Sequence, residues 1–378
     1  MVKRLSADVN NMKNKKIINL FWPSYDGKDI QDKIKELFPE DMSNRWLGEG
    51  PVTKELEKEF GKKFNYEYCL STNSGSSALE LAYHLLGLKP GDEVIVPVLT
   101  CTATNIPLLR KGVIPVFVDI KNDLTIDPNS VKAKIRLKTK AIVVVTLGGL
   151  PIDKEIFKIS QRFGIPIIID AAQSLGVPEK QGDYICYSFQ AIKHFTSGDG
   201  GMLVLRNKKQ YKRAKRLRWF GIDRESKMRN DWQPYKQREM TMDIEEAGYK
   251  FQMNDVAASI AISGLKNSDK WLKYRKKIGE YYKNNLKCPV IIGGSYWLAG
   301  ILVDDRDRIA KELKEAGIET NMAHIRNDEF TIFKKFKTNC PNMDKIESKY
   351  LYIPINIRMT LEDAKYVVKK LNTLICRK

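Results

Sequence analysis

Two stretches constrain the fold more than any others: residues 141–146 (AIVVVT) and 165–170 (IPIIID). Neither alternates apolar with polar. A strand of this kind has no face for water, so it must be covered on both sides. That condition is met in a parallel sheet sandwiched between helices. Shorter apolar runs at 93–97 (EVIVP), 113–118 (VIPVFV) and 202–205 (MLVL) supply further strands. Residues 76–86 (SSALELAYHLL) carry apolar side chains at helical spacing, and 55–61 closes another amphipathic helix. The predicted class is α/β: a three-layer large domain with a mixed, mostly parallel sheet.

The pattern changes after Asn254. Residues 255–265 are alanine-rich, and 266–286 form a long helix rich in lysine and tyrosine. Short strands from 290 onward and helices over 305–316 and 361–371 predict a smaller α+β C-terminal domain. The expected division is a mobile tail over 1–16, a large domain over 17–265 and a small domain over 266–378. At 378 residues the chain is long enough for that pair.

The net charge of +19 comes from 65 basic against 46 acidic residues. It suits an anionic partner, or simply a lysine-rich solvated surface. The basic residues are scattered, with no long basic block, so no nucleic acid is expected as a partner. Six cysteines at irregular spacing match neither a disulfide framework nor a zinc site. Three distant histidines, His84, His194 and His324, argue against a metal centre. Residues 1–16 lack an apolar signal core, and no run is long enough to span a bilayer. The expectation is a cytoplasmic protein with no membrane partner.

Chemistry concentrates in three places. Asn73-Ser-Gly-Ser-Ser77 is a turn opening a helix. Its amides and hydroxyls could seat a phosphate, or the serines could be helix caps. Asp170 closes a strand, where parallel sheets bind ligands; it could equally cap a loop. Lys193 follows Ser188 in SFQAIK and precedes glycines 198, 200 and 201. Alone it reads as a loop lysine, and the glycines as a hairpin turn. Together these features suit pyridoxal 5'-phosphate (PLP), which a lysine holds as a Schiff base while a carboxylate pairs with the ring nitrogen.

In order along the chain stand SGSSAL (74–79), PGDEVIVP (90–97), PVFVD (115–119), DAAQ (170–173), SFQAIK (188–193), TSGDGG (196–201) and GYKFQM (248–253). With these stretches the chain resembles the PLP-dependent nucleotide-sugar aminotransferases of fold type I, the DegT-like sugar aminotransferases. The resemblance runs from about residue 50 to the C-terminus and includes PNMDKIESKYLYIPIN (341–356). It implies catalytic roles for Lys193, which holds the cofactor and carries the proton, and for Asp170, which pairs with the ring nitrogen. Gln173 would approach the phenolic oxygen, and Gly75, Ser76 and Ser188 would hold the phosphate. Lys250 would reach the cofactor of a partner subunit, which implies a homodimer.

Several positions depart from the family pattern. Cys101, in Thr100-Cys-Thr-Ala-Thr104, stands where an aromatic ring usually stacks on the cofactor. The family's H-L-Y-G-x-P is Thr146-Leu-Gly-Gly-Leu-Pro151, its H-G turn is Phe220-Gly221, and its H-Y-x-P is His324-Ile-Arg-Asn327. One relative replaces the lysine with histidine and dehydrates; Lys193 argues against that branch.

The implied activity is transfer of an amino group from an amino acid, L-glutamate, to a keto sugar of a nucleoside-diphosphate sugar, serving amino-sugar biosynthesis. Two other readings stay open. One is an aminotransferase of a non-nucleotide cyclic ketone such as an inosose. The other is a non-catalytic, basic nucleic-acid-binding protein on the same fold. The sugar, the nucleotide and the carbon aminated are not legible in the sequence.

Overall fold

A computed structural model describes residues 16–44, 47–177, 180–223 and 244–377. The tail expected over 1–16 lies outside the described residues except for Lys16. The first half of the chain contains α1 (Gly27–Leu37), α2 (Pro51–Phe64), β1 (Tyr68–Thr72), α3 (Gly75–Leu85), β2 (Glu93–Pro97), α4 (Thr102–Arg110), β3 (Ile114–Val118), α5 (Pro128–Lys134), β4 (Thr139–Val145) and α6 (Lys154–Phe163). Then come β5 (Ile167–Asp170), β6 (Tyr184–Ser188), β7 (Gly201–Leu205), α7 (Lys208–Arg218) and α8 (Asp255–Asn285). The remainder holds β8 (Val290–Ile291), β9 (Ala299–Leu302), α9 (Arg306–Glu315), α10 (Pro341–Ile346), β10 (Tyr350–Ile353) and α11 (Leu361–Cys376).

Strands β1 to β7 form one sheet in the order β1-β7-β6-β5-β4-β2-β3. Pairings are parallel from β6 through β3, while β7 runs antiparallel to both β6 and β1. The sheet is therefore mixed and mostly parallel.

The unbroken apolar run over 141–145 in β4 has a direct cause. Val143 and Val145 enter one core with Leu81 and Ala82 of α3. Ile142 and Val144 enter the other, with Phe60 of α2 and Ile156 of α6. Each fully buried Val or Ile contributes about 1.5–3 kcal/mol, so a polar residue on either face of β4 would cost the sheet heavily.

The stretches 255–265 and 266–286 are one helix, α8, of 31 residues. Ala258, Ala261 and Leu265 pack on the large sheet, while Ile278 and Tyr282 enter a separate core. The expected division at 265 thus falls inside a single rod shared by both cores. Other bounds shift by a few residues. The helix predicted to close at 61 runs to Phe64 and stops at Asn65, whose φ of 57° is left-handed. The last helix runs past 371 to Cys376.

The smaller sheet is antiparallel, ordered β10-β9-β8. One face packs Ile301, Leu351 and Ile353 against Leu313 of α9 and Leu371 of α11. Its other side, with Tyr350, Tyr352 and the adjoining Trp297 and Leu298, joins the core of the large sheet. That shared packing brings C-terminal residues to the carboxyl edge of the large sheet.

Candidate active site

Strands β5 and β6 are parallel neighbours, and both end at that edge, at Asp170 and Ser188. β7 runs the opposite way and starts there, with Gly201 in register with Ser188. Residues 189–200, with Lys193 among them, therefore hang over the same edge. β1 also ends there and leads into α3, which begins at Gly75.

This meeting of chain ends encloses a cavity of about 310 Å³. Gly75, Ser76, Cys101, Asp170, Gln173, Ser188 and Lys193 all line it. Seven of the eight residues singled out in the sequence are thus brought together. Lys250 does not line the cavity. Its ammonium lies 3.3 Å from the ring centroid of Trp219, and its carbonyl accepts from the side chain of Asn73 at 3.2 Å.

Asp170 is 4% exposed. Its Oδ2 accepts from the Thr104 hydroxyl at 2.7 Å, and its Oδ1 from the Ala172 amide at 3.1 Å. Burial pushes its carboxyl above the usual range; the Thr104 hydroxyl, the Ala172 amide and the Lys193 ammonium oppose that push. Lys193 shows the mirror effect. Burial lowers its ammonium below the usual lysine range, and Asp170 and then Cys101 pull it back up. A lysine so depressed offers more neutral, nucleophilic amine near neutral pH.

Gln173 is held at both ends. The Gly148 amide donates to Oε1 at 2.6 Å. An N–H can only donate, so Nε2 is the atom that faces His324 Nε2 at 2.7 Å. His324 must accept there, which places its own proton on Nδ1. Burial and then Lys193 lower His324 to about 4, in keeping with a neutral ring. His194 donates through Nε2 to the Gln173 carbonyl at 3.2 Å. Burial and then Arg275 lower it to about 3, in keeping with a neutral ring, and it does not line the cavity.

The turn at 73–77 caps a helix and also lines the cavity. Ser74 caps α3, its Oγ accepting from the Ser77 amide at 3.0 Å. The amides of Gly75 and Ser76 lie ahead of it at the helix N-terminus, where N–H groups and dipole favour an anion. A Cβ on Gly75 would sit 2.8 Å from Ser188 Cβ. Only glycine lets the helix start approach the end of β6 this closely. The residues present therefore fit a phosphate-bearing ring: an anion seat, a buried carboxylate and a half-buried amine around one cavity.

Sequence reading assigned no role to Thr104, Phe21, Trp297 or His324. Thr104 was detectable in principle. It stands one helical turn after Thr100, and the two hydroxyls meet at 3.0 Å. His324 stands at the family's H-Y-x-P stretch, whereas nothing local marks Phe21 or Trp297; all three reach the cavity through long-range packing.

A model of the DegT/DnrJ/EryC1/StrS aminotransferase family matches residues 28–372. The chain belongs to this family. Spore coat polysaccharide biosynthesis protein SpsC of Bacillus subtilis is 31% identical, covering 80% of this chain and 79% of its own. GDP-perosamine synthase of Escherichia coli O157:H7 is 26% identical, covering 94% and 98%. The sugar aminotransferase CalS13 of Micromonospora echinospora superposes with a TM-score of 0.86 at 27% identity, covering 94% of this chain and all of its own. Spr1654 of Streptococcus pneumoniae, solved in a PLP form, gives 0.83 at 25% identity, covering 95% and 98%. The fold is that of the fold type I sugar aminotransferases, the activity is that of a transaminase, and the cofactor is PLP.

Proposed function

We propose that this transaminase moves an amino group from L-glutamate to a keto sugar linked to a nucleoside diphosphate. One observation carries the reading: Lys193 and Asp170 line a single cavity that opens on the free N-terminus of α3. Bound PLP supplies an electron sink that makes a substrate C–H acidic. The protein supplies the rest. Gly75, Ser76 and Ser188 would hold the phosphate. Asp170, kept in place by Thr104 and Ala172, would pair with the ring nitrogen. Gln173, locked by Gly148 and His324, would approach the phenolic oxygen. Lys193 binds the cofactor and carries the proton as general base and acid.

The nucleotide is supported by the excess of positive charge and by the GDP-linked product named for one relative. We further propose a homodimer in which Lys250, on the exterior of its own protomer's cavity, serves the partner's site. In this reading residues 17–265 bind the cofactor, and 266–378 close the cavity from the other side. The protein acts in the cytoplasm; among the described residues no helix is long and apolar enough to cross a membrane.

The test is a panel of UDP-, GDP- and dTDP-linked keto sugars, with inososes as controls and glutamate as donor. Amination of one nucleotide-linked ketone, with thermal stabilisation by its nucleotide, supports the proposal. Turnover of an inosose with no response to any nucleotide would replace it with the cyclic-ketone reading. Salt-dependent DNA binding without PLP uptake would replace it with the nucleic-acid reading.

A further inference from the structure

We propose that Trp297 positions the reactive amine of Lys193, its indole face holding the ammonium and its indole N–H holding the chain beside it. The inference rests on Lys193 being the attachment point of the cofactor. The ammonium lies 4.3 Å from the centroid of the Trp297 ring. The indole Nε1–H donates to the carbonyl of Ile192, the preceding residue, at 3.2 Å. One side chain thus grips both the tip of the lysine and the backbone that carries it.

Trp297 is itself rigid. It is 2% exposed and belongs to the core that joins the two sheets. Its amide donates to the Gly148 carbonyl at 3.2 Å. Its ring lies against Phe21, with centroids 5.6 Å apart. A lysine amine on a four-carbon stem samples many rotamers. A fixed aromatic face attracts a cation and selects the rotamers that place it there. The groups acting electrostatically on Lys193 are Asp170 and Cys101, with His194 and His324 also coupled to it. Both histidines are held neutral, so Asp170, to a lesser degree Cys101, and the Trp297 face are the attractions that aim the amine.

This arrangement bears on the departure at Cys101, which begins α4 and offers no ring. Phe21 and Trp297 are the phenyl and indole rings lining the cavity among the described residues. Phe21 comes from the N-terminal segment and Trp297 from the C-terminal half, and the face at the lysine is that of Trp297.

The experiment uses cofactor-free protein and free PLP. Lys193 nitrogen adds to the aldehyde carbon, water leaves, and borohydride then delivers hydride to the C=N carbon, giving an adduct read by intact mass. Trp297→Phe keeps a ring face and is expected to capture PLP within about threefold of the parent rate. Trp297→Leu is expected to slow capture at least tenfold at matched thermal stability. Parent-like capture by Trp297→Leu overturns the proposal, as does a Trp297→Phe variant as slow as Trp297→Leu. If the leucine variant does not fold, fluorinated tryptophans placed at 297 replace it. Each fluorine weakens the ring's attraction for a cation without changing its shape. The pH midpoint of capture should then fall stepwise, because the ammonium loses support. An unmoved midpoint also overturns the proposal. Parent protein that captures no PLP at Lys193 overturns the proposed function itself, a result distinguishable from all of these.

Discussion

Two regions of the cavity wall solve different problems. The edge of the large sheet carries the groups proposed to react: Asp170, Ser188, Lys193 and the start of α3. The wall from the C-terminal half, with Trp297 and His324, provides orientation. It touches Lys193 through a ring face and Gln173 through an imidazole. The first region stores electrostatic strain, since a buried carboxylate and a half-buried ammonium are both perturbed. The second is neutral and rigid. A site can thus separate the groups that react from the groups that aim them.

Variants in the two regions should therefore fail differently. Lys193→Ala should have the largest effect. Turnover is expected to fall by about 10⁴ or more, since it removes both the covalent anchor and a general acid–base worth about 10²–10⁴. Its melting temperature should stay within a few degrees; loss of folding would contradict a purely chemical role.

Asp170→Asn should cost about 10²–10³ in kcat, as removal of a preorganised charge does elsewhere. Because burial raises the carboxyl of Asp170, its charged form opposes folding, and the amide should leave stability unchanged or higher. Calorimetry beside steady-state kinetics checks both halves. A variant that is both inactive and unstable would erase the distinction between the regions.

Thr104→Val removes one hydrogen bond to a charged group, a loss of about 1.5–3 kcal/mol. Activity should drop roughly tenfold to a hundredfold, with the acidic limb of the pH profile displaced upward, because the carboxylate loses a donor.

The smallest effect concerns acid stability. His324 and His194 have folded values lowered to about 4 and about 3 from an ordinary 6.5. Both are neutral when folded, so the unfolded chain binds more protons below pH 6.5. Their contribution is complete above about 6.5 and declines as pH falls toward about 4 and then about 3. His324→Leu should flatten that decline in melts taken at pH 6.5, 5.5 and 4.5. An unchanged slope would show that His324 is not held neutral by the fold.

Most of the large sheet was legible because burial on both faces leaves an unmistakable composition. Residues 141–145 of β4 and 167–169 of β5 announce themselves as unbroken apolar runs. That Asp170, Gln173, Ser188 and Lys193 would line one cavity was legible because they lie within a short span ordered by consecutive strands. Boundaries were less so: α8 was read as two stretches, since its two halves enter different cores and differ in composition. Phe21 and Trp297 were hidden for a related reason. Each sits in a segment whose local pattern reports only that it is buried or irregular.

By itself, the sequence determined which residues would be buried on two faces and which chemistry-bearing groups would stand at strand ends, because these depend on local composition and spacing. Only the tertiary structure decided that Trp297, 104 positions beyond Lys193, would lie under its amine, and that His324 would lock Gln173. Those contacts depend on how the smaller sheet packs against the larger, a sum of many small, long-range apolar contacts that no short stretch of sequence records.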